Sequence, residues 1–240
     1  MNTLKFDKKK VKTIAHRGLC GIECENTCAA FVAAGSKSYF GIETDTHVTA
    51  DGHYVIFHDD TLERMAGIDK NIEEMTLSEL EEIRLFDTHD GGQTRSDLCI
   101  PRLDEYIRIC RKFEKIAVLE LKNYIEPKHC EGIARLISDL GYIENTIFIS
   151  FSKENCIEMR RILPDAKIQF LTSTWEEDLL DWLNEYRLDL DIMHTRVTRE
   201  LVERIHSIGL EINVWTVNHA DRGEELAELG IDYITTNILE

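Results

Sequence analysis

Ile116-Ala117-Val118-Leu119-Glu120-Leu121-Lys122 is an apolar run that ends in charge. Successive strand residues face opposite ways. Ala117, Leu119 and Leu121 therefore make one wholly apolar face, and Val118, Glu120 and Lys122 make the other. This suits a wall strand of a parallel barrel, whose apolar face packs under helices and whose charged end lies at the C-terminal rim, where barrel enzymes carry their active sites. Charge pointing into a barrel is costly unless it is paired or bound to an ion.

Working downstream, the chain repeats one unit. Helical patterns over 127–140, 152–163, 175–187, 198–208 and 220–229 alternate with strand patterns over 146–151, 167–172, 190–194, 211–217 and 232–236. Ser152 opens one helix; Gly141, Gly209 and Gly230 stop three others, as helix ends favour. Repeated βα units imply a parallel sheet covered by helices. Upstream, strands over 13–16 and 40–45 flank a helix over 26–34. The parallel strands then number eight, which closes a (β/α)8 TIM barrel.

Segment 53–58 would be a ninth strand, but Asp51-Gly52 ahead of it is a tight-turn signal. Residues 46–58 are therefore read as a hairpin: strand two runs past the rim, turns, and brings His58 back to the height of Glu43 and Asp45. Residues 60–101 break the βα pattern, with a capping-box helix start at Thr76-Leu77-Ser78-Glu79 and a polar loop over 90–96. The expected organisation is a single barrel domain over 1–240, with hairpin and small insertion over 46–101 on the active face.

The bulk numbers fit. A chain of 240 residues, 43% of them hydrophobic, fills one such barrel. A formal net charge of −17 argues against nucleic acid or an anionic membrane as partner, though not against a small anion in a locally positive pocket. The seven cysteines contain no CxxC pair and read as reduced thiols; Cys20, Cys24 and Cys28 lack a histidine at zinc spacing. With no apolar signal core at the N-terminus and no run of bilayer length, the expectation is a cytoplasmic protein without a stable membrane anchor. The pattern sets no oligomeric state.

Three more strands end in chemistry. Thr13-Ile14-Ala15-His16-Arg17-Gly18 and Val55-Ile56-Phe57-His58-Asp59 each end in histidine beside charge, and Ile42-Glu43-Thr44-Asp45 ends in two carboxylates that share a strand face. Glu43, Asp45 and Glu120 then form a three-carboxylate cluster that a divalent cation resolves, and all-oxygen ligation favours Ca²⁺ or Mg²⁺. The competing reading pairs Glu120 simply with Lys122 or Arg17. With the cation bound and both histidines neutral, Arg17 and Lys122 leave the site with one positive charge, matched by a phosphodiester monoanion. His16 and His58 are the candidate proton carriers. Trp215, at another strand end, is a candidate to stack on substrate carbon, as more weakly is Phe151. For His47 a place behind the site, and for His194 a place at the pocket, are the minor readings beside an ordinary structural histidine; His53, His89, His129, His206 and His219 are read as surface residues.

These motifs resemble the glycerophosphodiester phosphodiesterase family over nearly the whole chain. The resemblance rests on His16-Arg17-Gly18, Glu25-Asn26-Thr27, Glu43-Thr44-Asp45, His58-Asp59 followed by Thr61-Leu62, Thr76-Leu77-Ser78-Glu79-Leu80, Glu120-Leu121-Lys122, Ser150-Phe151 and Val214-Trp215-Thr216-Val217-Asn218 in that order. It implies a barrel hydrolase cleaving glycerophosphodiesters to sn-glycerol 3-phosphate and an alcohol, within lipid and glycerol metabolism. It implies a metal on Glu43, Asp45 and Glu120, His16 and His58 as general acid and base, and Arg17 and Lys122 on the phosphate. It also implies first attack by the glycerol 2-hydroxyl, giving a cyclic phosphate that water opens. Two positions depart from the family pattern: Cys24 stands where proline is usual, and the last strand ends Thr236-Asn237 rather than Thr-Asp. Neither is expected to touch the metal or the proton carriers. Two rival readings remain: a lysophospholipase D-like activity, with Met65, Ile68, Met75, Leu77, Leu80 and Phe86 as an acyl groove or merely a small core, and a non-enzymatic phosphodiester-binding protein.

Overall fold

The structure, a computed structural model, describes residues 2–240. The strands are β1 (Lys12–Ala15), β2 (Gly41–Val48), β3 (Tyr54–Ile56), β4 (Ile116–Leu121), β5 (Thr146–Ser150), β6 (Lys167–Thr172), β7 (Asp189–Met193), β8 (Ile212–Trp215) and β9 (Tyr233–Thr236). All but β3 pair in parallel, in the order β1-β9-β8-β7-β6-β5-β4-β2, and β1 pairs again with β2 to close the barrel. The helices between them are α1 (Cys28–Gly35), α2 (Glu63–Ala66), α3 (Leu77–Glu81), α4 (Leu103–Lys112), α5 (Pro127–Asp139), α6 (Lys153–Ile162), α7 (Leu179–Tyr186), α8 (Arg199–Ser207) and α9 (Ala220–Leu229). The (β/α)8 expectation holds.

Local chemistry places the ends. Thr27, Thr76, Ser152 and Thr198 cap α1, α3, α6 and α8 by accepting from an N–H of the first turn. The α3 capping box is complete on both sides. Outside the barrel, Ala117, Leu119, Leu121, Phe148, Leu190 and Ile192 pack under the helices; inside it, Ile14, Val118, Ile147, Ile149, Leu171 and Tyr233 form a separate cluster. The β4 alternation thus sorts its faces as read from the sequence. Tyr106 of α4 is fully buried, and its hydroxyl donates to the carbonyl of Ile42 at 2.7 Å. That bond ties the helix covering β2 to the strand that carries two of the acids.

The hairpin forms as expected. β3 runs antiparallel to β2, with Thr46 opposite Ile56 and Val48 opposite Tyr54, and Phe57 N–H donates to the Asp45 carbonyl at 3.0 Å. The insertion has its own apolar cluster. Met65, Ile72, Met75, Leu80, Ile83, Leu85, Leu98 and Ile100 are buried against one another, with Ile68 and Leu77 packed on them. These side chains form a small core, with Ile68, Leu77 and Phe86 half-buried.

Candidate active site

His16 directly follows β1, and the chain then turns with two residues in the left-handed region, Arg17 at φ 53° and Gly18 at φ 78°. Glycine is needed at the second: a Cβ there would lie 2.7 Å from the Ala30 Cβ, besides the strain of positive φ. The turn aims the Arg17 N–H at Glu43 Oε2, 2.8 Å away. An acid on β2 is thereby held by the backbone of β1.

Glu43, Asp45 and Glu120 are 3%, 1% and 7% exposed, too enclosed for water to screen them. Asp45 stands opposite Glu120 in the β2–β4 register. One carboxylate oxygen from each of the three lies within 4.8 Å of the others. Burial and then the other two acids push Glu43 well above the usual carboxylate range. Burial and Asp45 likewise raise Glu120, against the pull of Lys122. For Asp45 the burial penalty is overcome by Arg17, Lys122, His58 and the Asn26 amide, and its pKa goes down. Three acids that cannot all ionise comfortably on their own, converging within reach of one ion, are the donor set of a hard divalent cation. The site fits one.

Lys122 Nζ lies 2.9 Å from Glu120 and 3.5 Å from Asp45, and Arg17 Nε lies 3.6 Å from Asp45. The Arg17 Nε–H is buried without a hydrogen-bond acceptor in the protein. Both cations thus face the acids while keeping donor capacity for an anion.

The two histidines border one cavity with Glu43 and Glu120. His16 Nε2 is 4.0 Å from Glu43 Oε2, and burial with the adjacent Arg17 charge pushes its pKa down to about 4. Its Nδ1–H donates to Asn237 Oδ1 at 2.7 Å. This corrects one expectation: the Asn237 departure does touch His16, because β9 ends beside β1 and His16 N–H is already bonded to the Thr236 carbonyl at 2.9 Å. Cys24, the other departure, is buried and donates to the Phe86 carbonyl, seating the β1 loop on the insertion.

His58 Nδ1–H donates to Asp59 Oδ1 at 2.6 Å. Asp59 is gripped by Arg64, whose guanidinium also holds Glu25 at 2.8 and 3.0 Å, and Glu25 in turn holds Arg17 at 2.8 Å. One chain of charge-assisted bonds therefore joins His58 to Arg17 across the mouth. Behind it, buried His47 donates from Nδ1 to Glu73 at 2.8 Å, with Nε2 3.4 Å from the His58 carbonyl. His47 is thus behind His58.

His16, Arg17, Glu43, His58 and Glu120 border a cavity of about 140 Å³ that also meets Ile149, Phe151, Leu171, Asp191, Trp215 and Thr235. Trp215 and Phe151 meet edge to face at 5.7 Å, and Phe151 is 48% exposed at the mouth. His194 does not join this cavity: it packs on Arg222, which donates to its ring at 3.3 Å and to its carbonyl. His129 is half-buried against the Tyr54 ring rather than a surface group. A larger cavity, about 440 Å³, lies at the opposite end of the barrel among Lys12, Phe40, Lys167 and Tyr233, but it brings together no acid cluster and no histidine.

Sequence reading missed Arg64, Asn237 and Asp191 as members of the site. Asp191 carried a signal: Asp189-Leu190-Asp191 repeats the i, i+2 acids of Glu43-Thr44-Asp45 within an apolar strand. Arg64 carried none, since its position depends on how the insertion folds back.

By architecture and by the rim its charges occupy, the chain falls in the class of (β/α)8-barrel hydrolases. Residues 16–240 match the glycerophosphoryl diester phosphodiesterase family, and the chain belongs to that family. It is 29% identical to a glycerophosphodiester phosphodiesterase of Caldanaerobacter subterraneus subsp. tengcongensis, over 95% of this chain and 94% of that one. It is 26% identical to one of Bacillus altitudinis, over 94% of each. Among solved structures it is similar to the glycerophosphodiester phosphodiesterase of Thermotoga maritima, at 25% identity and a TM-score of 0.78, over 95% of this chain and 94% of that one. It also shares its fold with an Oleispira antarctica phosphodiesterase solved with the product sn-glycerol-3-phosphate, at 23% identity and a TM-score of 0.85, over 98% and 96%. The chain is an enzyme, a phosphoric diester hydrolase. Among the described residues no helix is long and apolar enough to cross a membrane.

Proposed function

We propose that the protein hydrolyses glycerophosphodiesters to sn-glycerol 3-phosphate and an alcohol, with His16 and His58 as the proton-transfer pair. The observation that supports this reading is the pair of imidazoles bordering one cavity with Glu43 and Glu120, beside a three-acid cluster that Arg17 and Lys122 also face. Arg17 and Lys122 hold the phosphate oxygens. A divalent cation on the three acids, Ca²⁺ or Mg²⁺ by ligand type, would supply charge stabilisation for the phosphoryl oxygens. One imidazole takes the proton of the glycerol 2-hydroxyl as its oxygen attacks phosphorus; the other gives a proton to the alcohol oxygen as its bond to phosphorus breaks. Water then opens the cyclic phosphate with the two roles exchanged. Trp215 and Phe151 stack on the departing alcohol. The domain is the barrel over 1–240, with the hairpin and insertion over 46–101 as one wall of the mouth, acting in the cytoplasm.

Glycerophosphocholine is expected to be turned over at least about tenfold faster than lysophosphatidylcholine, because the apolar groups of the insertion mostly pack against one another. Parallel assays of alcohol release decide it. A faster lysophospholipid reaction would favour the lysophospholipase D-like reading, and no turnover of any diester would favour a binding protein.

Asn237 fixes the His16 tautomer. An amide oxygen only accepts, so Nδ1 keeps its hydrogen and Nε2 is left to act in the cavity. Asn237→Ala should lower kcat by about tenfold, with Asn237→Asp restoring it, because either side chain accepts the same hydrogen bond. Unchanged kcat in the alanine variant would remove Asn237 from this role.

A further inference from the structure

Asp191 lies on β7 one inward-facing position below Trp215: it pairs with Asn213 in the β7–β8 register, while Met193 pairs with Trp215. It is 1% exposed and borders the catalytic cavity. Its Oδ2 accepts from Asn213 Nδ2 at 3.0 Å, and its Oδ1 has no hydrogen-bond partner in the protein. The Asn213 amide is committed on both sides, donating also to Gln169 Oε1 at 3.3 Å and accepting from the Thr235 hydroxyl at 3.2 Å. The carboxyl group is thereby held in place with Oδ1 unpartnered, in a residue that borders the cavity. A buried polar atom without a partner is costly, and a native fold seldom keeps one unless another group meets it.

We propose that Asp191 Oδ1 binds the terminal hydroxyl of the substrate's glycerol arm, making this side of the cavity a subsite selective for a glycerol rather than a simpler diol. This rests on the phosphodiesterase reading above. The phosphate is fixed by Arg17 and Lys122 at the rim. The leaving alcohol needs the open side, where Phe151 is exposed. What remains of the substrate is a three-carbon arm, and a cavity of about 140 Å³ has room for little more. Ile149 and Leu171 also line the cavity and meet the arm's C–H surface. A hydroxyl both donates and accepts, so the pairing stands whether Asp191 is ionised or neutral. Burial, with Glu120 nearby, favours the neutral form.

The test compares glycerophosphocholine with the analogue in which the terminal hydroxymethyl is a methyl group, the 2-hydroxyl being kept. A site built to bond a substrate hydroxyl rejects the analogue that lacks it, so the wild-type enzyme should prefer glycerophosphocholine by about 10²-fold or more in kcat/KM. Asp191→Leu should bring glycerophosphocholine down towards the analogue and leave the analogue's rate nearly unchanged. Asp191→Asn, which still pairs with a hydroxyl, should recover much of the preference. Equal wild-type rates on the two substrates would overturn the proposal, and so would undiminished preference in Asp191→Leu. The wild-type comparison stands even where the leucine variant does not fold. A wild-type enzyme inactive on both diesters overturns the phosphodiesterase reading itself, a different result from either.

Discussion

His16→Ala and His58→Ala should each lower kcat on glycerophosphocholine by about 10²-fold or more, the range general acid–base catalysis supplies, or about 2.7 kcal/mol of barrier. The two losses should then separate by leaving group. A p-nitrophenyl ester of glycerol phosphate releases a phenolate that needs no proton, so the variant lacking the general acid should recover much of its rate on that substrate. The variant lacking the general base should not, because the attacking hydroxyl still has to give up its proton. Neither side chain is a large part of the core: His16 is 19% and His58 32% exposed, and each ring has one nitrogen tied to a neighbour, Asn237 or Asp59. Both alanine variants should therefore fold, which circular dichroism and thermal melting check. A variant that folds and keeps its full kcat would end the role assigned to that histidine.

The parts of this site that were legible in the sequence are those where side-chain direction follows from strand period alone. Glu43 and Asp45 on β2, and Glu120 and Lys122 on β4, are fixed by alternation once the strand and its C-terminal end are recognised, and the β2–β4 register sets Asp45 opposite Glu120. The height of His58 followed from one turn signal at Asp51-Gly52. What stayed hidden depends on chain segments meeting across the fold. Asn237 reaches His16 because β9 and β1 are barrel neighbours, 221 residues apart. Arg64 reaches Glu25 and Asp59 only after the insertion has folded on its own core. Asp191 was visible as a pattern, yet nothing local distinguishes an acid that faces a cavity from one that finds a partner. His194 lies outside the cavity for a related reason. A histidine ending a barrel strand is at the right height for the pocket, but the short helical turn over His194–Arg196 swings it to Arg222.

Chelator should abolish turnover, and added Ca²⁺ or Mg²⁺ should restore it and also raise the melting temperature. A ligand that binds only the folded state at about a hundred times its Kd stabilises by about 2.7 kcal/mol, which for a domain of this size is roughly 5–10 °C. Melting in a titration of each ion reads the site without any assay of activity. Glu120→Gln separates the two readings of the cluster. If the three acids exist to hold an ion, the glutamine variant loses the ion-dependent rise in melting temperature. Without added metal it melts at or above the wild-type temperature, because one of three mutually repelling buried carboxylates has been neutralised. If Glu120 is simply the partner of Lys122, 2.9 Å away, the same change strands a buried ammonium. Its metal-free melting temperature then falls, since breaking a buried pair from one side typically costs about 3–5 kcal/mol. The sign of that one shift, measured in chelator, distinguishes a cation site from a salt bridge, and a fall together with no response to either ion in the wild type would remove the metal from the mechanism.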